Sequence, residues 1–164
     1  MGDEVNTALS EQQQWEQFVI SFYNCAMLQG TVAYLLMSIY AVAPQEISSY
    51  LGFDLAGYLW SNMVYGLSVV IFSRPTFRSV SPSNRIAFAL LGSLMFNHAS
   101  MNCFSWIHRT FPERPYVRGF LGFFAGRIMM VHFLAFLYHM DTRTITPGVR
   151  MERSPVFEQI YNTP

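Results

Sequence analysis

From Gly119 to Met140 the chain is apolar and aromatic, with one permanent charge inside, Arg127. Wound as a helix, a stretch of about 22 such residues is long enough to cross the hydrocarbon core of a bilayer, which needs about 20. Lipid offers no hydrogen bonds to a bare backbone, so a crossing stretch of this kind has to be helical. An arginine within it costs at least ~2.5 kcal/mol on insertion scales. The rest of the chain must supply that charge with company or let it reach an interface.

Other stretches have the same character. No residue from Phe18 to Ala43 is charged, which makes a slightly long, tilted span of about 26 residues. Pro44 ends it, and the short link to Tyr50 makes an antiparallel hairpin with the next span. Leu51 to Ser73 carries Asp54 near its start and ends at Arg74-Pro75. Ile86 to Ile107 lies between Arg85 and His108-Arg109. The segment Ser73–Asn84, with Pro75 and Pro82, reads as an extramembrane loop. Pro112 and Pro115 deny a regular helix to the loop that runs to Arg118. Ser10 followed by Gln13 resembles a capping box, so a helix is expected to begin at Glu11.

The expected fold is therefore all-α, an integral membrane four-helix up-and-down bundle with both termini on the cytosolic side. Its spans lie at about 18–43, 51–73, 86–107 and 119–140. A polar N-terminal segment (1–14) precedes the membrane domain (15–141), and a flexible tail (142–164) follows it. The orientation comes from arginine placement. Arg74, Arg78, Arg85, Arg143, Arg150 and Arg153 gather on the side of the termini, against Arg109, Arg114 and Arg118 on the other. The endoplasmic reticulum, another endomembrane or the plasma membrane would each accommodate spans of this length.

Composition narrows the chemistry. Of 164 residues, 52% are hydrophobic and only 12% charged, against ~25% charged in soluble domains. The formal net charge is zero, so nothing steers the chain toward nucleic acid. All 10 basic residues are arginine. Without lysine, Schiff-base chemistry is closed to it. Cys25 and Cys103 both fall in apolar stretches, form no C-x-x-C, and read as buried free thiols. No H-E-x-x-H, G-x-S-x-G or P-loop is present. Asp54 is the one carboxylate expected within the membrane, which rules out paired-carboxylate catalysis there. No catalytic constellation and no cofactor is expected.

Each span has a polar side at helical spacing. Asp54, Tyr58, Ser61, Tyr65 and Ser68 lie near one line, with Asn62 beside it. His98, Asn102 and Ser105 share a line, and Ser93, Asn97 and Ser100 share another. Such sides should face inward or toward a partner. The expected site is an Asp54–Arg127 ion pair, with Asn102 or His98 taking the spare donors. Gly119, Gly122 and Gly126 in the last span, and Ala26 and Gly30 in the first, mark close helix packing. His98 and His132 are weak candidates for a haem between helices, and single hydrogen-bonded histidines are the plainer reading. Ser81-Pro82, Thr146-Pro147 and Ser154-Pro155 are candidate phosphorylation sites in the expected cytosolic segments.

The leading functional expectation is a non-enzymatic accessory, assembly or scaffold subunit of a membrane complex. Its partners would be the bilayer and another membrane protein or itself. One alternative is an oligomeric proton or small-solute transporter that uses the polar faces of spans 2 and 3. A further one is a lipid- or sterol-binding bundle walled by Trp60, Phe120, Phe123 and Phe124.

Overall fold

The computed structural model of the chain describes residues 2–144. The described residues are helical and contain no strand. They form α1 (Gly2–Tyr40), α2 (Pro44–Leu51), α3 (Ala56–Phe72), a 3₁₀ turn (Pro75–Ser79), α4 (Pro82–Thr110) and α5 (Pro115–Thr144). Two stretches are long and apolar enough to cross a membrane, Glu11–Tyr40 of α1 and Pro115–Arg143 of α5. Helices α2 and α3 meet that description only jointly, and the chain bends by 110° between them. Helix α4, with 29 residues, has the length, but serines, asparagines and a histidine keep it out of that class.

Several boundaries differ from expectation, mostly because of proline. Pro44, Pro75, Pro82 and Pro115 are each the first residue of a helical segment. At that position the missing N–H is no loss and the fixed φ already suits a helix. The loop expected to run to Arg118 is therefore only residues 111–114, and α5 begins at Pro115. The link after Pro44 is a helix of its own. It ends at Gly52, whose φ of 77° lies in the left-handed region and whose N–H bonds the carbonyl of Ser48 at 2.8 Å. Glycine adopts that conformation without steric cost. The third helix accordingly starts at Ala56 and leaves Asp54 in the turn before it. At the N-terminus α1 runs through Ser10 without a break, so no helix starts at Glu11. The run contains no proline, and alanine, leucine, glutamine and glutamate all favour helix. At the other end α5 continues to Thr144, and the rest of the expected tail, with Thr146-Pro147 and Ser154-Pro155, lies outside the described residues.

Helix α1 packs on α3 and α5, and α4 packs on the same two. Tyr34, Met63, Leu67 and Phe104, one or more from each of α1, α3 and α4, are completely or almost completely buried where these helices meet. Two seams of small residues bring α1 close to its neighbours. A Cβ on Gly30 would lie 2.6 Å from the Cα of Gly66, and one on Gly66 would lie 2.7 Å from the carbonyl oxygen of Ala26. On the other flank, a Cβ on Gly126 would lie 2.6 Å from Cβ of Ser38, and one on Gly122 would lie 2.8 Å from Cγ2 of Val42. At both seams backbone meets backbone or a short side chain, which is how helices associate where no hydrophobic effect drives them together.

Candidate functional site

The interior is polar in a closed way. The Tyr34 hydroxyl donates to Oγ of Ser100 at 2.8 Å, and Ser100 donates to the carbonyl of Phe96 at 2.8 Å. Ser93 reaches across to α3 and donates to the carbonyl of Val64 at 2.9 Å. Ser38 donates back to Leu35 at 2.7 Å. These groups are sealed by rings: Tyr34 stacks on Phe96 at 5.4 Å between centroids, and Phe96 stacks on Phe133 at 4.2 Å. Each hydroxyl has its partner, and the arrangement contains no carboxylate and no imidazole.

Two buried groups are exceptions: the Ser68 hydroxyl has no partner, and the other is Asn97. It is fully buried, its Nδ2 donates weakly to Ser93 at 3.3 Å, and its Oδ1 has no partner. A buried, unsatisfied carbonyl costs about 1–3 kcal/mol. Asn97→Leu, nearly the same volume, is therefore expected to hold the unfolding midpoint in detergent or raise it by the equivalent of about 1 kcal/mol. A clear fall would mean that the amide does structural work of its own.

Each end of the helical assembly is closed by an arginine. At one end Arg118, the fourth residue of α5, is buried and pairs with Glu46 of α2. Its Nη1 also lies 3.0 Å from Nδ1 of His108, which in turn lies 2.9 Å from the carbonyl of Val42. A guanidinium only donates, so the contact with Arg118 requires Nδ1 as acceptor, whereas the contact with Val42 requires Nδ1–H. In any one tautomer of His108 only one of these two contacts is a hydrogen bond. Beside it, the Tyr40 hydroxyl bonds both Ser48 and Asp54. At the other end Arg74 pairs with Asp141 at 3.3 Å, and the Thr76 hydroxyl donates to the same carboxylate. Arg85 donates to the carbonyl of Phe72 and lies 4.1 Å over its ring, which closes the C-terminus of α3. Positive charge is favourable at a helix C-terminus.

The expected site residues are not brought together. Asp54 accepts from Tyr40 and from the Ala56 N–H at 2.8 Å, and those two bonds hold its carboxyl below the usual carboxylate range. Arg127 is exposed on α5 and forms no ion pair with Asp54. The physical reason is placement. Asp54 is engaged at the corner between α1 and α3, while α5 packs mainly on α1 and α4. His98 and Asn102 are exposed, on the side of α4 opposite the buried Ser93, Asn97 and Ser100. His132 is exposed too, with Nδ1 on its own helix at the carbonyl of Ile128, 2.8 Å away. Neither histidine enters the interior, and no group of three or more potential metal ligands occurs among the described residues. Among the small residues, Ala26, Gly30, Gly122 and Gly126 lie in the seams, while Gly119 only grazes Ile39 at 4.0 Å. Phe120, Phe123 and Phe124 are exposed and wall no interior.

Glu46, His108, Arg118, Arg74 and Asp141 were not singled out by sequence reasoning as interacting. One signal pointed to them: the expected topology already set each group at a common end. No protein-family model, curated protein or solved structure matches this chain.

Proposed function

We propose that this chain is a four-span membrane protein, up and down, that serves as an accessory or assembly subunit of a membrane complex. The observation that carries the reading is the outward direction of Arg127. A guanidinium at the thirteenth residue of the apolar α5 faces neither the interior nor its expected carboxylate. Lipid tails cannot satisfy it, so the reading assigns its counter-charge to another membrane protein.

The ends of the assembly support a membrane placement. From Arg118 to Asp141 α5 rises about 34 Å at 1.5 Å per residue. A hydrocarbon core is ~30 Å thick, so the two buried arginines, Arg118 and Arg74, fall at its two faces. In that placement α3 and α4 are the remaining spans, and α2 lies along one face. The termini share the side of Arg74, Arg78 and Arg85, which the positive-inside rule makes cytosolic, in the plasma membrane or an endomembrane. The conduit reading has less support, because the interior between α1, α3 and α4 is filled by Tyr34, Phe104, Met63 and Leu67.

The test is affinity purification in mild detergent of the wild type beside Arg127→Leu. Leucine at an exposed position in a span leaves the fold intact, so the unfolding midpoint should match the wild type. A second chain, stoichiometric with the wild type and lost from the variant, is the expected result. If the same companions come down with both proteins, or with neither, the assembly reading is wrong.

A further inference from the structure

Helix α4 has two sides of opposite character. The buried side carries Ser93, Asn97, Ser100 and Phe104. On the opposite side Phe88, Leu91, Met95, His98, Asn102 and Ser105 are all exposed, Met95 at 65% and Leu91 at 56%. Their spacing alternates three and four, the heptad period of a helix that packs against another helix along a left-handed seam. The core of this chain does not use that seam.

We propose that the seam is occupied by α4 of a second copy of this chain, in parallel. The inference rests on the membrane placement above but not on the role of Arg127, which lies on α5. A bilayer gives every copy the same orientation, so a twofold axis along its normal brings α4 beside α4 of the partner in parallel. Every seam residue then meets its own counterpart. That geometry demands residues that can bond to themselves, and the seam has them. The Asn102 amide and the Ser105 hydroxyl each carry both a donor and an acceptor, and neutral His98 carries one of each. A mixed pairing would need a complementary set on a different sequence; self-pairing needs nothing further. Phe88, Leu91 and Met95 fill the other half of the seam with apolar knobs. Asn102 falls at the heptad position where a single buried asparagine is known to set register and favour two strands. Arg109, next on the same line, lies at the membrane face, where its long side chain can reach water. Covering this face also accounts for α4 being too polar to rank with α1 and α5 as an apolar span.

The experiment is disulfide cross-linking in native membranes. Cys25→Ser and Cys103→Ala first remove the natural thiols. Single cysteines then replace Met95, Asn102 or Ser105, with Val131→Cys on the exposed side of α5 as the control. Oxidation should give a species of twice the chain mass at the three α4 positions, at least about tenfold more than at Val131. In the otherwise natural chain, Asn102→Leu should raise the dimer dissociation constant in detergent about tenfold. Equal cross-linking at Val131, no dimer at any α4 position, or an Asn102→Leu dimer as tight as the wild type would each overturn the pairing. Alkaline carbonate extraction separates the two ideas. A protein that stays in the membrane without cross-linking refutes the pairing alone; a protein that is extracted refutes the membrane placement as well.

Discussion

Gly66→Val should be among the most damaging single changes in the chain, lowering stability by ~3 kcal/mol and the unfolding midpoint by about 6–12 °C. The position tolerates no side chain. Gly30 and the carbonyl of Ala26 already stand where the Cβ would go, and both belong to backbone rather than to a side chain that could swing away. The only relief is to move α1 away from α3, which would loosen Met63 and Leu67 as well. Gly57, on the same helix, is the control: a Cβ there meets nothing within 4 Å. Gly57→Ala should change stability by no more than about 0.5 kcal/mol. Gly30→Val should resemble Gly66→Val, and the double variant should cost much less than the sum, because once the helices have parted the second side chain has room. Similar losses at Gly57 and Gly66 would show that the seam is not where the stability lies.

Asp141→Ala should cost about 3–5 kcal/mol, the usual penalty for breaking a buried ion pair from one side. Arg74 and Asp141 have side-chain exposures of only 5% and 13%, so removing the carboxylate takes the paired negative charge from a desolvated guanidinium and the acceptor from the Thr76 hydroxyl. Glu46→Ala at the opposite end should cost distinctly less. Glu46 is 43% exposed, so water can reach the place it vacates, and His108 remains beside Arg118. The decisive comparison is the double variant Arg74→Met with Asp141→Ala. Replacing both charges should recover most of the loss, since a buried pair contributes little over well-packed apolar groups. Midpoints in detergent measure all four proteins. An Asp141→Ala protein as stable as the wild type would place that carboxylate outside the structural frame.

The sequence made the helices legible because apolar length and helical periodicity are local properties. It made the small-residue positions legible too, since Ala26, Gly30, Gly122 and Gly126 stand out in any helical reading. What it could not specify was their facing partners. Gly66, alone in α3 without a second small residue four positions away, became visible only when α1 lay against it. The polar residues show the same limit. His98 and Asn97 are adjacent in sequence and on different sides of the helix, and periodicity groups each with its line without saying which line the core takes. The core took Ser93, Asn97 and Ser100, and it left His98, Asn102, Asp54 and Arg127 outside. Residues expected to meet inside the molecule are therefore spread over its surface. Proline carries two opposite signals for a chemical reason. A ring that ends one helix is also the best first residue of the next, so the loop expected as far as Arg118 is only four residues long.

That use of proline has a thermodynamic side which no distance reveals. Pro44, Pro75, Pro82 and Pro115 stand at the corners between helices, and each restricts the chain before it folds as much as after. A residue with a fixed φ has less conformational freedom to lose, which stabilises the folded form by about 0.4–1 kcal/mol wherever the native geometry fits the ring. Part of what holds these corners is thus located in the denatured ensemble. Replacing all four with alanine would leave most visible contacts in place and still make the molecule easier to unravel.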